Sequence, residues 1–339
     1  MVDVDDLTFD PNAFQWISSP DFVDPIRKQV YQEDMLRQRA TIEASDGVIA
    51  STEYLAGQIR KIGKPAWVHR NGYSQEMYRL SETAKQKRQR DPSRLVIGYA
   101  SGTPTHDQDF AIVRQALIDI LTEYENVSLH LVGPLDPGKG FENFGERVKR
   151  LPFVPWRNLP QVLSQFDINL APLVLDNPFS QSKSEIKYLE AAMVGVPTIA
   201  SPTDAFRFAI THAENGMLAE TTEEWRDNFS QLIRDLTLRT RIGENAYRRA
   251  VSEYSLEKRA EQLLNTLNGI AFEVKGEILF HSYSHVTRNV DDIPIEWETS
   301  PTYFQRGLYS LQNRGIRTLL SEIWIYFRRM ISPIFPFRK

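Results

Sequence analysis

The chain has 339 residues, 41% of them hydrophobic and 25% charged, the balance of a soluble globular protein long enough for two domains. A net charge of -4 and a pI near 6.0 exclude a general nucleic-acid binder, whose basic surface raises the pI well above neutrality. The absence of cysteine excludes disulfides, thiolate metal sites and cysteine nucleophiles. No run reaches the ~20 apolar residues of a membrane-spanning helix, and the acidic start Met1-Val-Asp-Val-Asp-Asp is unlike a secretory signal; a cytoplasmic location is expected.

Met1 runs straight into the strand-like Val2-Asp-Val, which reads as an internal start. Pro25 to Ala44 has the pattern of one long helix, Gly47 to Ser51 that of a strand, and a second short strand is expected near Trp67. That is too little for a whole domain, so residues 1–82 are expected to be part of one, in a shortened gene product or a fragment of a longer chain. The basic stretch 83–93 reads as a linker. From Leu95 onward, short β-branched runs alternate with amphipathic helices. Strands are expected over Leu95 to Ala100, Val127 to Val132, Asp167 to Leu173 and Thr198 to Ala200; helices over Asp107 to Tyr124, about Lys183 to Val194, Glu223 to Leu236 and Arg241 to Glu253. Such βαβ grammar predicts an α/β fold with a doubly wound parallel sheet over residues 94–269. Ligands on these sheets sit outside the carboxyl ends of the strands, where two loops fall, Gly98 to His106 and Pro172 to Ser184.

The second loop is the more informative. Ser182 followed by Glu185 is an S-x-x-E capping box ahead of an apolar run, so a helix should start near Lys183 with its N–H groups facing the loop as an anion site. Lys187 and Glu190, three residues apart, share a face of that helix, where an ammonium can meet phosphate and a carboxylate can accept from sugar hydroxyls. Lys183 and Lys187 also suit a plain solvated face, whereas Glu190 interrupts the apolar run Tyr188, Leu189, Ala191, Ala192, Met193. In the first loop Gly102 and Thr103 can offer backbone and hydroxyl donors to phosphate. His106 and Asp109 open a helix where they could reach phosphate or acceptor, and His106 equally suits a solvent-facing first turn. The loop lacks a full G-x-G-x-x-G, so a nicotinamide dehydrogenase is unsupported.

Beyond residue 270 the alternation stops. His281 and His285 would share a face only in a helix, and the flanking sequence argues against one, so no metal site is expected there. Residues 306–339 carry seven basic residues and one acid, with Ile316, Leu319, Leu320, Ile323, Trp324, Phe327 and Met330 at helical spacing. That pattern suits an interfacial helix on an anionic membrane, or docking onto the protein's own surface or a missing domain.

The segment Asn177 to Ser201, with Glu190-Ala-Ala-Met-Val-Gly-Val-Pro as its core, resembles the donor-binding signature of the group 1 (family 4) retaining glycosyltransferases, which have the GT-B fold of two facing Rossmann-like domains. Glu214-Asn-Gly-Met-Leu-Ala and Tyr254-Ser-Leu-Glu-Lys-Arg resemble later segments of that family, and the likeness spans roughly residues 94–268. Asp46-Gly-Val-Ile-Ala-Ser and Val68-His-Arg-Asn-Gly-Tyr resemble the last βα units before its donor domain. In the family two glutamates stand eight residues apart; here the earlier position is Ser182, Lys183-Ser184-Glu185 replaces the usual Gly-Phe-Gly, and the arginine and lysine of the first loop are absent.

The resemblance implies a partial N-terminal Rossmann-like domain over 1–82, a linker over 83–93 and a donor domain over 94–269; residues 270–339 read from their own pattern as a C-terminal extension with a basic helix. It implies transfer of a sugar, with retention, from a nucleotide-diphosphate sugar to a glycan or lipid-linked acceptor in cell-surface polysaccharide synthesis, at the inner membrane face. Glu190 would hold the ribose, with Ser182, Ser184, Gly102, Thr103 and His106 around the donor, while Lys187 and Lys183 stabilise the departing diphosphate. No cofactor or metal is implied; the D-x-D triplet Asp3-Val-Asp resembles a metal motif of the unrelated GT-A enzymes only. A sugar-nucleotide epimerase of the same fold, or a catalytically silent nucleotide-sugar-binding module, are the alternatives.

Overall fold

The computed structural model describes residues 1–273, apart from 18, 90 and 92. His281, His285 and the basic helix expected over 306–339 lie outside the described residues. Residues 1–20 together with those from 34 to the end of the described chain form one compact body.

Two parallel sheets organise it. The smaller has three strands in the order β1 (Val2–Val4), β2 (Val48–Ala50) and β3 (Ala66–Val68), with Val2 opposite Val48 and Val48 opposite Ala66. Its crossovers contain α1 (Pro25–Ala44) and α2 (Glu53–Lys61). Thr52 caps α2 by accepting from Leu55 N at 3.1 Å, and Leu55, Ala56 and Ile59 form its buried face.

After α3 (Gln75–Gln86) come the six strands of the larger sheet: β4 (Leu95–Ala100), β5 (Val127–Val132), β6 (Val148–Leu151), β7 (Ile168–Ala171), β8 (Thr198–Ala200) and β9 (Met217–Leu218). Their spatial order is β6-β5-β4-β7-β8-β9, all parallel. The order reverses between β4 and β7, the position at which doubly wound sheets open a ligand crevice. Period-two alternation assigns the faces. Leu95, Ile97 and Tyr99 enter a core with α4 (Asp107–Glu123) and α9 (Thr222–Arg234), through Phe110, Val113, Leu117, Trp225 and Phe229. Val96 and Ala100 pack on the opposite face with Phe166, Ala191 and Val194. Gly98 lies on that second face, and glycine is required there because a Cβ would run into the Phe166 ring.

The remaining helices are α5 (Leu159–Leu163), α6 (Pro178–Gln181), α7 (Ile186–Ala192), α8 (Asp204–Ala209), α10 (Leu236–Glu253) and α11 (Leu256–Glu273). The stretch 83–93 begins inside α3, not as a free linker. Ala84 joins the buried cluster of Val132, Leu163 and Phe166, and Arg88 bonds to the Phe166 carbonyl and, at 3.4 Å, to Asp167. Among the described residues no helix is long and apolar enough to cross a membrane.

Candidate active site

The loops that leave the carboxyl ends of β4 and β7, together with the end of β1, enclose a cleft of about 310 Å³. Gly102, Thr103, His106, Lys183, Ser184, Lys187 and Glu190 all line it, joined by Asp5, Asp6, Ser101 and Phe153. Seven of the eight residues expected around the donor and its diphosphate are therefore brought together.

Ser182 is the exception. It is fully buried; its hydroxyl donates to Phe179 O at 2.7 Å and accepts from Leu7 N at 3.3 Å, while its carbonyl accepts from Thr52 Oγ1 at 3.4 Å. These bonds fasten the loop to the small sheet, so Ser182 stands behind the cleft wall. The capping box does not form either. Glu185 sits at the N-cap of α7 with no side-chain cap, and the helix starts at Ile186 with seven residues. Glu185 is committed elsewhere: its carboxylate meets Arg70 Nη1 at 3.4 Å and accepts from Tyr254 OH at 2.9 Å, and all three side chains are buried. Burial pushes the Glu185 carboxyl up, against the opposing pull of Arg70.

α7 is held from β7, where Asn169 Nδ2 donates to Lys187 O at 3.2 Å and to Thr198 Oγ1 at 3.1 Å. That anchoring points Lys187 across the crevice to donate to Ala100 O at 2.6 Å. Burial lowers the pKa of this ammonium, against the attraction of Glu190 and Asp109; burial likewise raises that of Glu190, against Lys187. Glu190 also borders a second, more apolar cavity of about 250 Å³ beside Tyr73, Met77, Trp156 and Met193.

On the opposite wall, His106 Nδ1 lies 3.0 Å from Asp109 Oδ2. Burial lowers the His106 pKa and outweighs the hydrogen bond to Asp109, which acts the other way, so the imidazole is neutral at pH 7. Asp109 is a buried brace, not a ligand-facing acid: its Oδ1 accepts from Val174 N at 3.0 Å and Ser180 Oγ at 3.1 Å, tying α4 to the loop after β7. Lys183 reaches Asp6 Oδ2 at 3.0 Å, and Ser184 Oγ accepts from Asn71 Nδ2 at 3.0 Å. Thr103 and Gly102 are exposed at the rim, with Thr103 Oγ1 2.7 Å from Thr105 Oγ1. Among the described residues no group of three or more His, Cys, Asp or Glu side chains is placed to hold a metal ion.

Arg70, Asn71 and Tyr254 fall in segments that resemble the family, but sequence reasoning missed that they hold these groups, because nothing local shows which distant loop each side chain reaches. The aromatic rim residues Phe153 and Trp156, 61% and 42% exposed, were legible as unusual only once their exposure was known.

Residues 114–265 match the family model described as glycosyl transferase-like. No curated protein sequence matches the chain significantly. Among solved structures, sucrose-phosphate synthase from Thermosynechococcus elongatus is similar with a TM-score of 0.56 at 17% identity, over 80% of this chain and 68% of that one. Anabaena HepE in complex with UDP and glucose is similar with a TM-score of 0.53 at 20% identity, over 69% of this chain and 67% of that one. S. aureus TarM, solved as a variant with Fondaparinux, alpha-GlcNAc-glycerol and UDP, gives 0.53 at 19%, over 70% of this chain but only 46% of its own length. At these identities the likeness is one of fold. The architecture is GT-B, and the domain it carries is that of an enzyme of the glycosyltransferase class.

Proposed function

We propose that the chain transfers a sugar, with retention, from a nucleotide-diphosphate sugar to a glycan or lipid-linked acceptor. The reading extends to cell-surface polysaccharide synthesis, peripheral to the inner membrane face. The observation that carries the donor half is the pairing of Lys187 and Glu190 on one short helix, at the reversal point of the sheet and inside one cleft. Glu190 has the acceptor oxygens for ribose hydroxyls. Lys187 and Lys183 supply the positive charge for a diphosphate. α7, with seven residues, is too short to add much dipole of its own, so the lysines carry that demand.

In the transfer the bond from the anomeric carbon to phosphate breaks, and its electrons go to the diphosphate. Stabilising that developing charge in a partly dry site is the main catalytic requirement. The acceptor hydroxyl attacks from the leaving-group side and gives its proton to the departing phosphate, so no protein nucleophile is required.

HepE and TarM are named as UDP complexes, which makes UDP the first nucleotide to try. Calorimetric titration with UDP, GDP and their common sugars, on wild type and Glu190→Ala, tests the reading. Binding of one nucleotide that disappears in the variant supports it and selects the base; no binding to any overturns it. A second reading, a silent binding module, is favoured by the engagement of Lys183 with Asp6 and the burial of Ser182. Nucleotide affinity without transfer or hydrolysis would select it.

A further inference from the structure

Lys183 is engaged twice: its Nζ lies 3.0 Å from Asp6 Oδ2 and 4.2 Å from the centroid of the Phe179 ring. Asp6 follows β1 on the small sheet, Lys183 precedes α7 on the large one, and both line the cleft beside Ser184 and Lys187. The pair is not needed to hold the two sheets together. Leu7 N and Thr52 Oγ1 bond to Ser182, Asn71 bonds to Ser184, and Arg70 pairs with Glu185, all within four residues of the same loop. Nor is it sealed: 24% of the Lys183 side chain and 36% of the Asp6 side chain remain exposed. A partly exposed ion pair is weak, and a dianion can take over its cation.

We propose that Asp6 is a positioning residue that competes with a nucleoside diphosphate for Lys183. Donor binding transfers the ammonium from carboxylate to phosphate. After transfer the carboxylate takes the ammonium back, which lowers retention of the nucleoside diphosphate product. Burial raises the pKa of Asp6, with Lys183 as the opposing influence and Asp5 adding to the rise, so a departing anion leaves a carboxylate that gains from recovering its cation.

The inference rests on the donor reading above, and the experiment separates the two. UDP is titrated by calorimetry, and its release timed by stopped flow, for wild type, Asp6→Asn, Asp6→Ala, Lys183→Ala and the Lys183→Ala, Asp6→Ala double variant, with thermal melting confirming that each is folded. Removing the competing carboxylate should tighten UDP by about threefold to fivefold and slow its release by a similar factor. Lys183→Ala should weaken UDP, and in that background the Asp6 change should have no further effect. A residue that merely supported the loop would weaken UDP when replaced, so the sign of the change distinguishes the roles. If wild type binds UDP through Glu190 while Asp6→Asn and Asp6→Ala leave affinity unchanged or lower it, the competition is overturned and the donor reading stands. If wild type binds neither UDP nor GDP, the donor reading fails and the inference with it.

Discussion

Lys187 donates a 2.6 Å hydrogen bond to the main-chain carbonyl of Ala100, so a cation on one wall of the cleft is fastened to the backbone of the other. Its pKa is lowered by burial, and that of Glu190 one turn away is raised by burial. Each charge is held at a cost in a place that favours neutrality, a common signature of groups kept for function.

Lys187→Met should lower turnover by ~10²–10³ if its charge acts on the leaving group. The change removes the charge that opposes the rise of the Glu190 pKa, and Glu190→Leu does the same to Lys187, so the double variant Lys187→Met, Glu190→Leu should be more stable than either single one. Chemical denaturation of all four forms measures this; a double variant less stable than both singles would contradict it.

Arg70→Met should cost about 3–5 kcal/mol at pH 7, the usual penalty for removing one partner of a buried ion pair, because Glu185 then keeps the Tyr254 hydroxyl and the attraction of Arg259 but no ion-pair partner. The deficit depends on pH. Burial already holds the Glu185 pKa above its ordinary 4.5, and loss of Arg70 raises it further. A carboxyl raised in the folded state contributes stability below its unfolded pKa and loses it as pH rises through the folded one. Urea denaturation should therefore find the variant's deficit smaller near pH 4.5 than at pH 7.

His106 has the opposite sign. Its pKa in the folded chain lies below the ordinary 6.5 because the ring is buried near Lys187 and Lys183. The resulting stability is present above 6.5 and is lost as pH falls through the lowered value. His106→Gln keeps a polar group opposite Asp109 without a titrating ring, so its melting temperature should fall less than that of wild type between pH 7.5 and pH 5.

Gly133 adopts φ +88, and a Cβ there would strike the carbonyl of Ser101 on the cleft wall. Gly133→Ala should lose about 1–3 kcal/mol and weaken UDP by displacing that wall. Gly102, with nothing within 4 Å of an added Cβ, should accept alanine with little change in melting temperature.

The long elements were legible because their periodicity is local. Leu95–Ala100 is a near-continuous apolar run, as a strand covered on both faces must be, Val127–Val132 and Thr198–Ala200 are rich in β-branched and apolar residues, and Pro25–Ala44 is helical over its full expected length. Val148–Leu151 escaped because Lys149 and Arg150 sit exposed on a sheet edge, where charge blunts further pairing but hides the strand. Gln75–Gln86 was divided between a domain and a linker because its basic residues resemble a solvated tether. At the cleft, Lys187 and Glu190 were readable from a three-residue spacing. Ser182 and Glu185 fit a capping box in sequence, but other partners claimed both side chains: distant Leu7 and, three residues back, the Phe179 carbonyl took Ser182, and Arg70 and Tyr254 took Glu185. A local motif records what its members can do for one another, and says nothing of stronger partners elsewhere in the chain.

The fastening of loop 182–185 has a consequence for how such proteins can be recombined. Leu7, Thr52, Arg70 and Asn71 come from the small sheet and its loops, yet the groups they satisfy are on the loop before α7. A chimera cut between residues 82 and 94 that took its first part from another protein would strand Glu185 in the interior without Arg70 and leave the Ser182 carbonyl without Thr52. The workable unit of exchange is therefore the small sheet together with residues 182–185, two segments distant in sequence that would have to be inherited as one.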